Sequence, residues 1–327
     1  MLRLPPFRYH RPETVADAVS LLGLYGDAAM PVAGGTDLIP NMKHRLFTPE
    51  HLVALKGIRE LRGIREEGGH LVIGAAESLT DISVHPSVRL HFTALAQAAG
   101  SVAGPQLRNS GTLGGNVCLD TRCTYYNQSQ FWRQALGFCL KKDGDVCHVT
   151  RVGTKCVAAH SADTPPVLMT LGALLELVGP EGARSVPIAD FFLADGIWNT
   201  TRRPDEILTS IRIPLPTPDL KTSYVKLRQR KAIDFPLLTV AVAGDVDPEN
   251  RIRQLRGMVT GLGARPRELT GWEELAEGEI LTEELVEGLC ERAHKQCHPL
   301  ENMIVDAEWR RAMVPVHVRR ALAGLRR

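Results

Sequence analysis

The sequence has no long hydrophobic run. Its longest apolar stretch, VLMTLGALLELVG (167–179), is too short to cross a membrane and is interrupted by Glu176. We interpret it as a buried helix or a pair of strands. The first residues, MLRLPPFRYHRPETVADAV, have charges and prolines where a signal peptide needs an apolar run. We therefore expect a cytoplasmic protein without a membrane partner.

The sequence also has almost no net charge. Lys and Arg number 39 against 37 Asp and Glu, which leaves a formal charge of +2. Because nucleic acids are bound by strongly basic surfaces, this balance argues against a nucleic-acid partner. With 327 residues, 44% of them hydrophobic, the chain is long enough to form two globular domains.

Disulfides are not expected. The seven cysteines are an odd number, and no export signal accompanies them. Five of the seven lie between Cys118 and Cys156, and the last four of these are separated by 15, 7 and 8 residues: Cys123, Cys139, Cys147 and Cys156. Cys118 is flanked by apolar residues and is not needed for a four-ligand site. Cys290 and Cys297 fit an amphipathic helix and are interpreted as buried hydrophobic residues.

Four thiolates can hold zinc or an iron–sulfur cluster. The segment lacks both the CxxC pairs typical of zinc sites and the CxxCxxC run typical of ferredoxins. From the residues alone, zinc, an iron–sulfur cluster and no metal are therefore all open.

Two glycine pairs indicate an anion cradle. AGGTDL (33–38) follows an apolar strand, and TLGGN (112–116) repeats the arrangement later in the chain. Paired glycines let backbone N–H groups turn toward a pyrophosphate without a Cβ in the way. Neither loop has the GxGxxG or Walker spacing. The two loops together predict a dinucleotide cradle.

The order of predicted elements favours an α+β fold. RPETVADAVSLLGLYG (11–26) has helical periodicity, and LRGIREEGGHLVIGAAESL (61–79) predicts a strand pair around Gly68–Gly69. IPLPTPDLK (213–221) is the best candidate linker. Beyond it, long strand patterns cover 222–247 and 252–266, and helical patterns cover 270–297 and 306–326. We expect an N-terminal unit to about residue 220 and a smaller C-terminal one.

Several motifs, in this order, resemble the FAD-binding subunit of the molybdenum hydroxylase family, which includes xanthine dehydrogenase and carbon monoxide dehydrogenase. They are PVAGGTDL (31–38), QLRNSGTLGGN (106–116), SADTPPVL (161–168), EILTSIRIP (206–214), YVKLRQRKAIDFP (224–236) and DAEWRRAMVPVHVRRAL (306–322). The resemblance implies a two-part FAD-binding domain of the vanillyl-alcohol-oxidase type over 1–220, divided at about residue 56. A smaller α+β domain of the carbon monoxide dehydrogenase flavoprotein type follows over 221–327.

The resemblance also implies which residues bind FAD. The first cradle loop would be Pro31, Val32, Ala33, Gly34, Gly35, Thr36, Asp37 and Leu38, and the second Thr112, Leu113, Gly114, Gly115 and Asn116. Further flavin-site positions are Val102, Asp163, Leu208 and Lys226. Val102 lies where xanthine dehydrogenases carry an aromatic residue, a departure that weakens the case for nicotinamide chemistry at the flavin.

Between Asn116 and His160 about 43 residues intervene where most of the family passes quickly from one loop to the next. This insertion, about 118–160, resembles that of the 4-hydroxybenzoyl-CoA reductases, in which it carries an additional [4Fe–4S] cluster. The resemblance implies that Cys123, Cys139, Cys147 and Cys156 are the cluster ligands.

The implied function is electron transfer. Electrons would pass from reduced ferredoxin through the cluster and FAD to a small [2Fe–2S] subunit and a large molybdopterin subunit, in a dimer of heterotrimers. Six basic and three acidic residues between Asp120 and Cys156 would offer a ferredoxin a local charge of +3. The alternatives are the FAD- and [4Fe–4S]-carrying subunit of a molybdenum aldehyde oxidoreductase with outward electron flow, and a zinc-stapled structural subunit.

Overall fold

The computed structural model describes residues 2–150 and 153–326. The first helix, Val15–Tyr25, follows directly from its local sequence. Its side chains Val15, Ala18, Val19 and Leu22 are buried at helical spacing. The Thr14 hydroxyl accepts the Asp17 N–H at 3.1 Å, and the helix ends at Gly26, whose φ of +50° favours glycine.

Within the described residues, the helices are α1 Val15–Tyr25, α2 Leu38–Lys43, α3 Leu79–Val84, α4 Pro86–His91, α5 Thr93–Ser101, α6 Pro105–Ser110, α7 Leu113–Val117, α8 Gln130–Leu136, α9 Thr164–Thr170, α10 Ile188–Phe191, α11 Trp272–Ala276, α12 Glu283–Gln296 and α13 Ala307–Ala323. Single 3-10 turns cover Gly26–Ala28, Arg59–Leu61 and Gly324–Arg326. The strands are β1 Arg8–His10, β2 Ala29–Val32, β3 His51–Ala54, β4 Ile64–Glu67, β5 His70–Gly74, β6 Leu174–Gly179, β7 Gly182–Pro187, β8 Ile207–Pro214, β9 Leu220–Leu227, β10 Leu238–Val246, β11 Ile252–Thr260 and β12 Arg267–Glu268.

The strands form three sheets. A parallel sheet has the order β1-β3-β2, and its central strand β3 is buried along its whole length. An antiparallel sheet has the order β4-β5-β8-β6-β7, and a second antiparallel sheet has the order β12-β11-β10-β9. The predicted α+β class is confirmed.

The chain changes from one sheet to the next between Pro214 and Leu220, inside the predicted linker. The largest hydrophobic core nevertheless includes Tyr224, Ala241 and Met258 of the last sheet together with α5 and α9. A second core joins the outer face of that sheet to α11–α13 around the fully buried Trp272. The C-terminal sheet is therefore packed on both faces.

Two expectations were wrong. The helical pattern over 270–297 is two helices, α11 and α12, because the chain turns at Gly278 with a φ of +78°. The strand pattern over 222–247 is broken between Leu227 and Leu238 by a loop. In that loop the Arg230 side chain binds Asp234, whose carboxylate also accepts the Arg230 N–H at 2.6 Å. No helix of the described residues is long and apolar enough to cross a membrane.

Candidate functional site

A cavity of about 450 Å³ lies where the parallel sheet, α7 and the 228–237 loop meet. Fifteen of the seventeen residues predicted to bind FAD line it: Pro31, Val32, Ala33, Gly34, Gly35, Thr36, Asp37, Leu38, Val102, Thr112, Gly114, Gly115, Asn116, Asp163 and Leu208. The other two do not line it. Leu113 lies in the hydrophobic core, and Lys226 lies behind Asp163. The structure thus brings the two predicted cradle loops to one cavity.

At Gly34 the first cradle loop touches Ser110 and Gly111, which lead directly into the second loop. A Cβ added there would lie 2.1 Å from the carbonyl oxygen of Ser110, far inside contact distance. Gly35 follows with a φ of +68°, in the left-handed region. Only glycine allows this approach, so the sequence GG closes the first loop against the second and leaves backbone atoms on the cavity wall. This is the geometry that a pyrophosphate cradle requires.

The second loop is fixed to α9 through Asn116. The Asn116 side-chain oxygen accepts the Thr164 N–H at 3.0 Å and the Thr164 hydroxyl at 2.7 Å. These bonds hold the end of the GGN sequence beside Asp163, the residue that precedes α9. The predicted flavin-site aspartate is therefore part of the same wall.

Asp163 is buried with two partners on β9. The Tyr224 hydroxyl donates to Oδ1 at 2.5 Å, and the Lys226 ammonium donates to Oδ2 at 3.0 Å and to the Ser101 carbonyl at 3.2 Å. Burial raises the pKa of Asp163 and lowers that of Lys226, and their mutual attraction opposes both shifts. Each charge thus depends on the other for its stability in the interior.

We expect Lys226→Met to destabilise the folded chain by about 3 kcal/mol, because it leaves the buried Asp163 carboxylate without its cation. The measurement is chemical denaturation of the purified protein. Lys295→Met, at a lysine whose side chain is 77% exposed, is the matched control and should change stability little. Equal stabilities of the two variants would contradict the assignment.

The four predicted cysteines surround a second, smaller cavity. Cys123, Cys139, Cys147 and Cys156 all line it, with the apolar side chains of Leu140, Val149 and Val157 among its other walls. No three His, Cys, Asp or Glu side chains of the described residues are arranged to hold a metal ion. The four cysteines thus share one small cavity without a preformed metal site among the described residues. Cys118 is not among them and lines the larger cavity instead.

Hydrogen-bond donors point at several of these sulfurs. The Ala158 N–H lies 3.5 Å from Cys156 Sγ. Burial raises the pKa of Cys123 to about 11, opposed by the N–H groups of Tyr125 and Tyr126. Burial also raises the pKa of Cys147, but bonds from Thr150 and nearby N–H groups outweigh it and lower the pKa overall. Such donors stabilise thiolates and tune sulfur-ligated groups.

The two cavities share a stretch of wall. Residues 118–120 and Arg122 line the larger cavity, and the next residue, Cys123, lines the smaller one. Arg122 binds Asp37 of the first cradle loop at 2.8 Å, and its guanidinium lies 3.9 Å from the ring centroid of Phe235. Three residues of this wall were not predicted from the sequence as site residues: Asp120, Arg122 and Phe235. The sequence signals that could have identified them are the positions of Asp120 and Arg122 beside Cys123 and of Phe235 within the YVKLRQRKAIDFP motif.

The prediction of a basic surface on the insertion is wrong, because three of its six basic residues are buried or paired within the protein. Arg133 is 1% exposed and donates to the carbonyls of His44 and Arg45, which fixes the insertion to the end of α2. Lys141 is 5% exposed, and Arg122 is bound to Asp37. Lys142 and Lys155 are on the outside, as are Asp143 and Asp145, so these four charges cancel; Arg151 lies outside the described residues.

Comparison with known proteins agrees with this geometry. Residues 5–216 match the FAD binding domain in molybdopterin dehydrogenase, and residues 223–325 match the CO dehydrogenase flavoprotein C-terminal domain. The carbon monoxide dehydrogenase medium chain of Hydrogenophaga pseudoflava is 33% identical over 319 residues, which cover 97% of this chain and 96% of that one. The aldehyde oxidoreductase FAD-binding subunit PaoB of Escherichia coli is 32% identical over 255 residues, 75% of this chain and 80% of that one.

Solved structures give the same result. Carbon monoxide dehydrogenase from Hydrogenophaga pseudoflava superposes with a TM-score of 0.81 at 31% identity, over 99% of this chain and 98% of that one. The two family matches together cover nearly the whole chain, and most of the cavity lining lies in the domain that the first of them describes, with Ile233, Asp234 and Phe235 contributed by the second. The chain belongs to the family of FAD-binding medium subunits of the molybdenum hydroxylases.

Proposed function

We propose that this chain is the FAD- and [4Fe–4S]-carrying electron-transfer subunit of a molybdenum-dependent 4-hydroxybenzoyl-CoA reductase. One observation carries the proposal: four cysteines from one insertion line a single cavity whose wall continues into the flavin cavity. The substrate class is drawn from the resemblance of the insertion. The substrate would react on a partner subunit.

FAD is the cofactor of the first domain, and the residues present suit it. The loops around Gly34 and Gly114 supply a backbone-lined cradle, and Asp163, Val102 and Leu208 line the rest of the wall. When bound, FAD exchanges one or two electrons and so links one-electron carriers to two-electron chemistry. The chain's own contribution is to close the cavity, with Arg122 and Phe235 across its edge.

The donor set of the smaller cavity suits an iron–sulfur cluster. Its four cysteines line one cavity, its walls are largely apolar, and the Ala158 N–H points at Cys156 Sγ. A zinc ion would need four sulfurs at about 2.3 Å from one point. A [4Fe–4S] cluster supplies a one-electron centre whose potential depends on such hydrogen bonds and on solvent exposure.

The partners we propose are a large molybdopterin subunit and a small [2Fe–2S] subunit, in a dimer of heterotrimers. Relatives of this chain are named as medium chains, which supports an assembly of several chains. The proposed electron donor, a reduced ferredoxin, depends on the resemblance of the insertion alone, since the insertion's exposed charges do not favour it.

A second candidate is a molybdenum aldehyde oxidoreductase with outward electron flow. The 32% identity to the aldehyde oxidoreductase subunit PaoB favours it. The two reactions have opposite electron balances. Reductive dehydroxylation consumes two electrons and two protons and releases water, whereas aldehyde oxidation consumes water and releases two electrons and two protons.

Turnover of the copurified complex separates the candidates. We expect it to oxidise a low-potential one-electron donor only when 4-hydroxybenzoyl-CoA is present, with one benzoyl-CoA formed per two electrons. Benzoyl-CoA as the added substrate is the control and should consume no donor. Reduction of the bound flavin by aldehydes, with no reaction of the thioester, would contradict the proposal and favour the second candidate. One zinc per chain, without iron and sulfide, would contradict both.

A further inference from the structure

A buried lysine lies between the two cavities. The side chain of Lys141 is 5% exposed, and its ammonium donates to Asp120 Oδ1 at 2.7 Å, to the Thr121 carbonyl at 3.1 Å and to the Gly196 carbonyl at 2.6 Å. It also lies 4.6 Å from the centroid of the Tyr126 ring. With these partners the ammonium is held in one position, so its charge is fixed relative to both cavities.

The Lys141–Asp120 ion pair is oriented from one cavity to the other. Lys141 and Tyr126 line the cysteine cavity, whereas Asp120 lines the flavin cavity. The positive end of the pair therefore faces the cysteines and the negative end faces the flavin.

We propose that the Lys141–Asp120 pair sets the difference in reduction potential between the groups bound in the two cavities. Lys141 raises the potential in the cysteine cavity, because a fixed positive charge in a weakly screened interior stabilises an added electron. Asp120 lowers the potential in the flavin cavity for the converse reason. The cysteine-cavity part of this inference rests on the proposed [4Fe–4S] cluster.

Spectroelectrochemical titration of the purified protein, with its copurifying subunits, tests the pair. Lys141→Met should make reduction of the cluster at least tenfold less favourable, a shift of about 59 mV for one electron. Asp120→Asn should move the flavin potential upward. The cluster is followed by electron paramagnetic resonance and the flavin by absorbance.

Lys142→Met is the matched control. Lys142 is the next residue along the chain, its side chain is 36% exposed, and it pairs with the exposed Asp143 at 3.4 Å. Because water and salt screen that charge, both potentials should stay at their wild-type values. Equal potentials in Lys141→Met and Lys142→Met would overturn the inference.

A double variant protects the test against misfolding. Lys141→Met alone leaves the Asp120 carboxylate without its partner, whereas Lys141→Met with Asp120→Asn removes both charges together. In the double variant the cluster potential should fall and the flavin potential should rise, a pair of opposite shifts that a loosened structure would not produce. Shifts in the same direction would overturn the inference.

The outcomes also separate this inference from the proposed function. If the wild-type protein contains no iron and sulfide, the proposed cluster is wrong, but the predicted effect of Asp120 on the flavin potential can still be tested. An unchanged flavin potential in Asp120→Asn would then overturn the role of the pair. If the protein contains the cluster but the variants leave both potentials unchanged, the proposed function stands and the role of the Lys141–Asp120 pair is overturned.

Discussion

Replacing Cys139 by alanine should remove the proposed iron–sulfur cluster from the purified protein while FAD stays bound. Cys139 lines the smaller cavity, is buried, and lies in the turn after α8. A cluster that loses one of four thiolate ligands loses both a bond and the charge balance of its site, so we expect near-complete loss. Iron and sulfide analysis, together with the visible absorbance beyond the flavin bands, measures the effect.

Cys290→Ala is the matched control for this prediction. Cys290 is buried to a similar degree, but it lies on α12 and its thiol faces the Pro315 carbonyl at 3.4 Å. Its loss should cost some stability and no iron. Cys118→Ala should also keep the iron, because Cys118 lines the flavin cavity. Full iron content in Cys139→Ala would refute the assignment of the ligands.

Much of the fold could be predicted because its signals are local. The helix that begins at Val15 and the strand pair around Gly68 and Gly69 follow from periodicity and turn residues within a few positions. The loop between β9 and β10 was expected to be strand, although its four consecutive polar residues Arg228–Lys231 and its Pro236 interrupt the alternating pattern. Its conformation depends on the Arg230–Asp234 pair and on the contact between Arg122 and Phe235, two segments more than a hundred residues apart.

The candidate site also has parts that could be predicted from the sequence and parts that could not. The cradle loops were identified because glycine pairs are visible in the sequence, and the four cysteines because their density is unusual. Leu113 shows the limit of the motif: it lies within TLGGN, but α7 turns its side chain into the core. Gly196 shows the converse, because an added Cβ there would lie 2.6 Å from Cys156 Sγ, and nothing in the sequence connects the two.

Charge was the least predictable property. Counting residues 120–156 gives a net positive segment, yet a count does not distinguish surface charges from charges that hold the interior together. Arg133 fixes the insertion to the backbone of His44 and Arg45, and Lys141, paired with Asp120 within the insertion, fixes it to the Gly196 carbonyl. The insertion thus uses its cations to attach itself to the flavin domain, and attachment of this kind is decided by tertiary contacts.

Gly34→Ala should weaken FAD binding by about fivefold to 150-fold, the equivalent of the 1–3 kcal/mol that overpacking typically costs. The added Cβ would lie 2.1 Å from the Ser110 carbonyl oxygen and 2.9 Å from Gly111 Cα. Both are backbone atoms, so no side-chain rotation relieves the contact, and the first cradle loop must move away from the segment that leads into the second. Titration of FAD into the flavin-free protein measures the affinity.

Gly23→Ala is the control that isolates the loop contact from the general effect of a methyl group. Gly23 is exposed in the interior of α1, and a Cβ added there meets no atom within 4 Å. Because alanine favours a helix over glycine by roughly 0.5–1 kcal/mol, this variant should be slightly more stable and should bind FAD as the wild type does. The same chemical change would then have opposite effects at two glycines. Equal FAD affinity in both variants would mean that the approach of the two loops at Gly34 does not shape the cradle.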